Sequence, residues 1–270
     1  MINNLLSILV VSCDKYSDIW EVYIKLFNKY WPECKYERYL LTNKIETQIF
    51  GFRSIAIGDD ISWSDNLKKG LEKIRSKYVL ILIDDHFIVD KVNDEELNNI
   101  LKYFYNIDGN YLRLYPYPRP IGEINKFMGS IPEGYLYRTS VISSVWKINV
   151  LYDILKEGEN AWQFELNGSI RSDKYNGFYA IKNINILPTI NGIIRGKWNK
   201  MAMKILENKG IIFNQINRPI MSNKEMIIYY YSLWRSKIFN FIPWKLRRRI
   251  REIFKLDLFG SSPNDLKNRY

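Results

Sequence analysis

Tyr78-Val79-Leu80-Ile81-Leu82-Ile83-Asp84-Asp85-His86 sets six apolar or aromatic side chains in a row and then breaks into two carboxylates and an imidazole. A run this short, rich in Ile and Val, fits a strand buried on both faces, as in a parallel sheet, and its polar end marks where the strand leaves the core. Leu5–Val11 is a second run of this kind and ends in Ser12-Cys13. Between the two, Ile19, Val22, Tyr23, Leu26, Phe27 and Tyr30 follow helical spacing until Trp31-Pro32 stops it. Tyr36–Thr42 and Arg53–Ile57 read as further strands. Ser62-Trp63-Ser64-Asp65 offers caps to a helix that reaches Ile74 along Leu67 and Leu71. Strands alternating with helices predict βαβ units and an α/β, mostly parallel sheet flanked by helices. In such sheets ligands bind beyond the carboxyl ends of the strands, which directs attention to the residues after Val11 and after Ile83.

Downstream, Leu97, Ile100, Leu101 and Phe104 mark a helix over Asp94–Asn106, and Tyr111–Tyr115 reads as a strand before the extended Pro116–Pro120. Asn149–Lys156 and Met201–Asn208 are expected helices, with a strand at Phe178–Leu187 between them. No internal repeat or low-complexity tract interrupts the pattern.

The 270 residues, 47% hydrophobic and 26% charged, suffice for a large core, and 20 Tyr with 8 Trp are more rings than a core alone needs. Cys13 and Cys34 match neither a disulfide framework nor a zinc pattern, which points to a reducing, cytoplasmic setting. Leu5–Val11 has no preceding Lys or Arg and is short for a signal peptide, and no segment approaches the roughly 20 apolar residues of a spanning helix. The net charge of +11 is uneven. Arg235–Lys255 holds eight basic residues and one acid, a net +7 that leaves +4 for the remainder.

Strand alternation places Asp84 and His86, the only histidine, on one side, where they can share a Mg²⁺ or Mn²⁺ ion completed by phosphate oxygens, with Asp85 pointing away. The plainer reading makes Asp84 a turn cap and His86 a surface residue. Glu159-Asn160-Ala161-Trp162-Gln163-Phe164-Glu165 joins two carboxylates and a ring; Glu165 first, and Glu159 second, could take a proton from an attacking hydroxyl. Trp162 suits either a sugar face or the core. In Gly192–Trp198, Arg195 and Lys197 lie among glycines, where two cations can neutralise a diphosphate, or simply form a solvated turn.

Residues 5–20 (LLSILVVSCDKYSDIW), 63–74 (WSDNLKKGLEKI) and 80–87 (LILIDDHF) together resemble the nucleotide-sugar half of the GT-A glycosyltransferase fold. The likeness covers residues 1–90 and is nearest in kind to small bacterial transferases that build capsule or lipopolysaccharide. The family's DXD motif follows such a strand. Asp84-x-His86 departs from it toward a DXH form, whereas Asp84-Asp85 alone would leave metal use open. The resemblance implies that Asp84 and Asp85 hold the donor diphosphate and that the Ser12–Tyr16 loop contacts the base, with Ser12 and Asp14 as its polar groups. It further implies that Asp65 and Asn66 face the ribose or sugar; as a bland alternative, Asp65 is a dipole-favoured acid at a helix start. The activity implied is inverting transfer from a nucleotide-diphosphate sugar, UDP-linked first, to a lipid-linked or oligosaccharide acceptor.

The expected organisation is a catalytic domain over 1–225, with nucleotide-sugar and acceptor halves at 1–90 and 91–225, and a C-terminal segment over 226–270. There Leu246, Ile250, Ile253 and Phe254 share a helical face ringed by Arg247, Arg248, Arg249 and Arg251. Such a basic amphipathic helix, preceded by the aromatic-rich Met226–Trp234 and Ile238–Trp244, predicts peripheral attachment to an anionic membrane on its inner face. Two other classes compete. Paired aspartates also serve metal-dependent nucleotidyl or phosphoryl transfer, although no GxxxxGK[ST] or GxGxxG loop is present. A basic nucleic-acid-binding module is disfavoured by charge gathered at one end beside aromatics and by the lack of a recognition motif.

Overall fold

The computed structural model describes residues 5–182, 185–212 and 218–239, together with 242, 243, 245, 246 and 249. The chain forms two compact units, Met1–Ile190 and Asn191–Tyr270, a division that falls earlier than 225/226. The basic helix expected from Leu246 to Phe254 lies almost wholly outside the described residues.

The strands of the first unit are β1 (Leu6–Val11), β2 (Glu37–Thr42), β3 (Gln48–Ile49), β4 (Phe52–Ala56), β5 (Tyr78–Ile83), β6 (His86–Ile88), β7 (Tyr111–Arg113), β8 (Met128–Ser130), β9 (Ser144–Lys147) and β10 (Phe178–Ile181). A further strand, β11 (Thr189–Asn191), pairs with β6. Nine of them make one mixed sheet in the order β3-β4-β2-β1-β5-β9-β7-β10-β8. The part read most clearly from the sequence, β4-β2-β1-β5, is parallel throughout. β1 and β5 run side by side from Leu6 opposite Tyr78 to Val11 opposite Ile83. From β1 the chain steps outward to β2 and β4, then returns to β5 on the other flank of β1. That reversal opens a crevice beyond the carboxyl ends of β1 and β5.

Helix α1 (Ser17–Tyr30) buries Ile19, Trp20, Tyr23, Ile24, Leu26 and Phe27, and α2 (Trp63–Leu71) starts from Ser62, whose Oγ accepts the Asp65 N–H at 3.1 Å. Beyond Leu71 the bonding tightens to i→i+3, so the helix ends before the expected Ile74. Gly70 lets it approach the sheet: a Cβ there would stand 2.5 Å from Leu41 Cδ1. Helix α3 (Asp94–Asn106) has the expected bounds and buries Leu97, Ile100, Leu101 and Phe104. Each such side chain contributes roughly 1.5–3 kcal/mol of transfer free energy, so the stripes that define the helices also fix them to the sheet.

α4 (Ile148–Ile154) follows β9, and then comes an interrupted helix: α5 (Ala161–Gln163), a π-turn at Phe164–Gly168, and α6 (Ser169–Arg171). In the second unit, strands β12 (Ile193–Ile194) and β13 (Lys197–Trp198) form a hairpin. α7 (Lys200–Asn208) is capped by Asn199, and α8 (Asn223–Phe239) packs Met226 and Tyr229 with Ile194 and Met221.

Candidate active site at the carboxyl edge of the sheet

Because Val11 and Ile83 are register partners, the first residues past them meet. Ser12 Oγ donates to Asp84 Oδ2 and accepts the Trp20 indole N–H at 2.6 Å. Asp84 is buried, and its negative charge adds to burial in pushing the Cys13 thiol up to about 11. Cys13 is therefore a neutral thiol at physiological pH and no nucleophile.

The alternation expected between Asp84 and His86 does not hold. Asp84 and Asp85 form the turn that ends β5, and His86 opens β6, so a period-two argument cannot run through them. The imidazole and the Asp85 carboxyl instead act on each other electrostatically. Burial raises the Asp85 carboxyl and the imidazole pulls it back, while burial lowers His86 and Asp85 opposes the fall. Asp85 Oδ1 is buried with no hydrogen-bond partner among the described residues, and so is Tyr23 Oη, whose ionisation is suppressed by burial and then by Asp84 and Asp85. A buried carboxylate oxygen without a donor is costly, and a cation relieves it. Among the described residues no three His, Cys, Asp or Glu side chains are arranged to hold an ion. Mg²⁺ and Mn²⁺ take as few as one or two protein ligands and complete their shell from water and phosphate, and the unpartnered Asp85 Oδ1 is the observation that suits such an ion.

The other residues expected at the nucleotide end hold its loops in place. Asp14 Oδ1 accepts Asn43 N at 2.9 Å and Oδ2 accepts Lys44 N at 2.9 Å and Ile45 N at 3.2 Å, while Asp14 N donates to Asn43 Oδ1 at 2.9 Å. It thus ties the exit of β1 to the exit of β2, and any base contact from it is additional to these bonds. Asp65 Oδ2 accepts Ser62 Oγ and Gly158 N, which hold its carboxyl below the usual range. Asn66 Nδ2 donates to Asp60 Oδ1 at 2.6 Å and its Oδ1 accepts Ile61 N at 3.3 Å. Both residues pin the loop ahead of α2 from within.

Ile81 and Arg113 both face Ser144 across β9, so β5 and β7 leave the sheet at the same edge. Tyr115, just past β7, and Asp84, just past β5, emerge two strand spacings apart, roughly 10 Å. Tyr115 Oη donates to Ser140 Oγ at 2.6 Å, and Ser140 Oγ donates to Glu165 Oε1 at 2.8 Å, which also accepts Val141 N at 3.1 Å. Glu165 is thus linked, through Ser140, to Tyr115 just past the end of β7. Burial raises its carboxyl, against the opposing pull of Ser140, Val141 and Arg113.

Local chemistry explains the π-turn that presents Glu165. Asn160 and Gln163 form a reciprocal capping box that starts the helix. Four residues on, Ser169 Oγ reaches back to the Glu165 carbonyl at 2.5 Å, and Thr139 Oγ1 donates to it at 3.3 Å. Hydroxyls take the acceptor that an α-helix reserves for a backbone N–H, and the turn widens. Glu159 sits differently: buried, it receives Arg171 Nη1 on Oε1 at 2.9 Å, Arg171 Nη2 on Oε2 at 2.5 Å, and Asn167 Nδ2 on Oε1 at 3.0 Å. Both oxygens are committed to an ion pair, so Glu159 as an alternative base gives way to Glu159 as a brace. Phe164 is core against Trp63 at 5.4 Å and Trp146 at 6.2 Å, whereas Trp162 is exposed.

Arg195 and Lys197 lie in the second unit. Arg195 and Gly196, both at positive φ, make the tight turn of the β12–β13 hairpin. Lys197 Nζ contacts Glu225 Oε1 at 2.7 Å, and this pairing, with Ser222, holds the Glu225 carboxyl near about 2.

Sequence reasoning passed over Trp20, Asn43, Tyr115 and Ser140. Trp20 sat unremarked within the α1 pattern. Ser140, in an irregular stretch between short strands, had no periodic signal, and only its contact with Glu165 reveals it.

No protein-family model matches the sequence, and no curated protein matches it. Among solved structures, the chain is similar to the 1–349 fragment of TarS from S. aureus at 11% identity, over 66% of this chain and 60% of that one, with a TM-score of 0.43. It is similar to the mannosyltransferase PcManGT from Pyrobaculum calidifontis, solved with GDP-Man and Mn²⁺, at 12% identity over 71% of this chain and 58% of that one, TM-score 0.48. A cytidylyltransferase from Leptospira borgpetersenii is matched at 11% identity over 78% of this chain and 98% of that one, TM-score 0.42. The chain spans less than two thirds of the first two structures. At scores below 0.5 these likenesses carry no argument about chemistry, which rests on the residues at the sheet edge.

Proposed function

We propose that the chain is a glycosyltransferase that moves a sugar from a nucleotide-diphosphate donor, UDP-linked in the first instance, to a hydroxyl of a saccharide or polyprenyl-linked acceptor. One observation carries this reading: Ser12 meets the buried Asp84 where β1 and β5 end side by side, next to Asp85 with its unpartnered carboxylate oxygen; the buried Glu165 carboxyl, linked through Ser140 to Tyr115 past β7, supports it as the base. The diphosphate lies in the crevice beyond β1 and β5. Asp84, Asp85 and His86 would hold a divalent cation there, which would supply charge neutralisation for the leaving diphosphate. Glu165, made a stronger base by burial, takes the acceptor proton as the acceptor oxygen bonds to the anomeric carbon and the bond to the diphosphate breaks, giving inversion. The setting we propose is cytoplasmic, in surface-polysaccharide synthesis, with the net +7 of Arg235–Lys255 attaching the protein to the anionic inner face of the membrane.

The test is transfer and donor hydrolysis with UDP- and GDP-sugars, with Mn²⁺ or with EDTA. Asp84→Asn and His86→Ala should remove metal-stimulated turnover and leave the far-ultraviolet circular dichroism unchanged. Full activity in EDTA sinks the metal role. Pyrophosphate release from a nucleoside triphosphate and a sugar phosphate, with no donor turnover, makes the protein a nucleotidyltransferase instead.

A further inference from the structure

Helix α8, 17 residues long, is apolar on two sides and needs only one of them for its own fold. Met226 and Tyr229 pack inward with Ile194 and Met221. On another side Ile227, Tyr231, Trp234 and Ile238 recur at intervals of four, three and four, which on an α-helix forms one stripe. These side chains are 70%, 60%, 59% and 45% exposed, and the rings of Tyr231 and Trp234 lie 6.0 Å apart within the stripe. A helix of this length spans about 25 Å, and no helix among the described residues is long and apolar enough to cross a membrane.

We infer that this stripe is the part of the protein that enters the interfacial layer of an anionic lipid bilayer, with α8 lying in the membrane plane. The inference rests on the membrane attachment proposed above and identifies the apolar half of it. Its composition fits: Tyr and Trp place a ring among acyl chains and a polar atom among headgroups, and Ile227 and Ile238 supply buried area at both ends. Charge selects the occupant. Intervals of four, three and four also suit a second copy of the helix, but a chain that carries a net +7 over Arg235–Lys255 repels its own copy, whereas anionic headgroups neutralise that charge. The arginines draw the protein to the surface and the stripe holds it there, the two signals that stable attachment requires.

The experiment uses the full chain with phosphatidylcholine vesicles, with and without phosphatidylglycerol, and the variants Ile227→Ser/Ile238→Ser and Trp234→Phe. The serine pair should lower partitioning by at least about tenfold. Brominated acyl chains should quench the tryptophan emission of the wild type, and Trp234→Phe should lose most of that quenching while still binding, a readout that holds even if the serine variant folds poorly. Wild type that binds with neither effect overturns the stripe and leaves the attachment standing. Wild type that never binds overturns both. A dimer in light scattering that Ile227→Ser/Ile238→Ser converts to monomer assigns the stripe to a second copy and overturns the inference.

Discussion

Glu159→Gln separates a brace from a base. In the structure the Glu159 side chain is 9% exposed and Arg171 27%, and two guanidinium nitrogens and the Asn167 amide converge on its oxygens. Glutamine keeps one acceptor oxygen but sets an NH₂ against a guanidinium N–H. One charge-assisted bond is lost outright and the other is weakened to a charge–neutral bond. Removing one partner of a fully buried pair costs about 3–5 kcal/mol. Arg171 retains partial access to water, which reduces the expected loss to about 2–3 kcal/mol, or roughly 5–10 °C in melting temperature for a unit of this size. Urea unfolding followed by circular dichroism measures it, and a double-mutant cycle with Arg171→Met isolates the pair. A loss under about 0.5 kcal/mol refutes the brace. So does a variant of full stability whose turnover collapses, because that is the behaviour of a base.

Glu165→Gln should behave in the opposite way, lowering turnover by about 10²–10⁴ with donor affinity kept. Burial raises the folded carboxyl above its unfolded value, so the unfolded chain releases its proton first and wild-type stability falls as pH climbs between the two values. The glutamine variant lacks that fall, so its stability relative to wild type should rise as pH climbs above the ordinary glutamate range in urea titrations, and a constant difference would contradict the burial. Asp14→Ala should cost about 1–2 kcal/mol, chiefly through the buried Asn43, and should speed amide exchange at Asn43, Lys44 and Ile45, while unchanged exchange there would show that the Asp14 bonds do not hold the loop.

The legible part of the fold was the part with long, single-period elements. β1, α1, β2, β4, α2, β5 and α3 were all expected within a few residues of where they lie, because each buries an unbroken run or stripe. The strands beyond them are two to four residues long, too short for a period to fix their ends, and β9 sits antiparallel between β5 and β7 on the strength of pairing partners 31 to 35 and 63 to 69 residues away in sequence that no local pattern encodes. Tyr111–Tyr115 was read two residues too long because the buried Arg113 turns its guanidinium onto the Tyr115, Pro118 and Tyr137 carbonyls and bends the chain out of the ladder. At the site, the meeting of Ser12 with Asp84 followed from strand order, which the sequence implied. The bracing of Glu159 did not, because its partner lies twelve positions along an interrupted helix whose winding depends on where two hydroxyls point.

That winding gives the protein a length-sensitive adjustment. A π-turn holds one residue more than the α-helical turn it replaces, so deleting any single residue within Phe164–Gly168 restores ordinary winding and rotates the turn before it by about 100° relative to the turn after it. When the deletion falls beyond Phe164, Trp162, now outward, and Phe164, now in the core, would both be turned from those surroundings without any change in their identities. Because Glu159 and Arg171 clasp the two ends of the segment, the rotation is confined to the span between them. Among chains built on this plan, the surface next to the carboxylate can therefore be altered by gain or loss of one codon, a larger step than any substitution there allows.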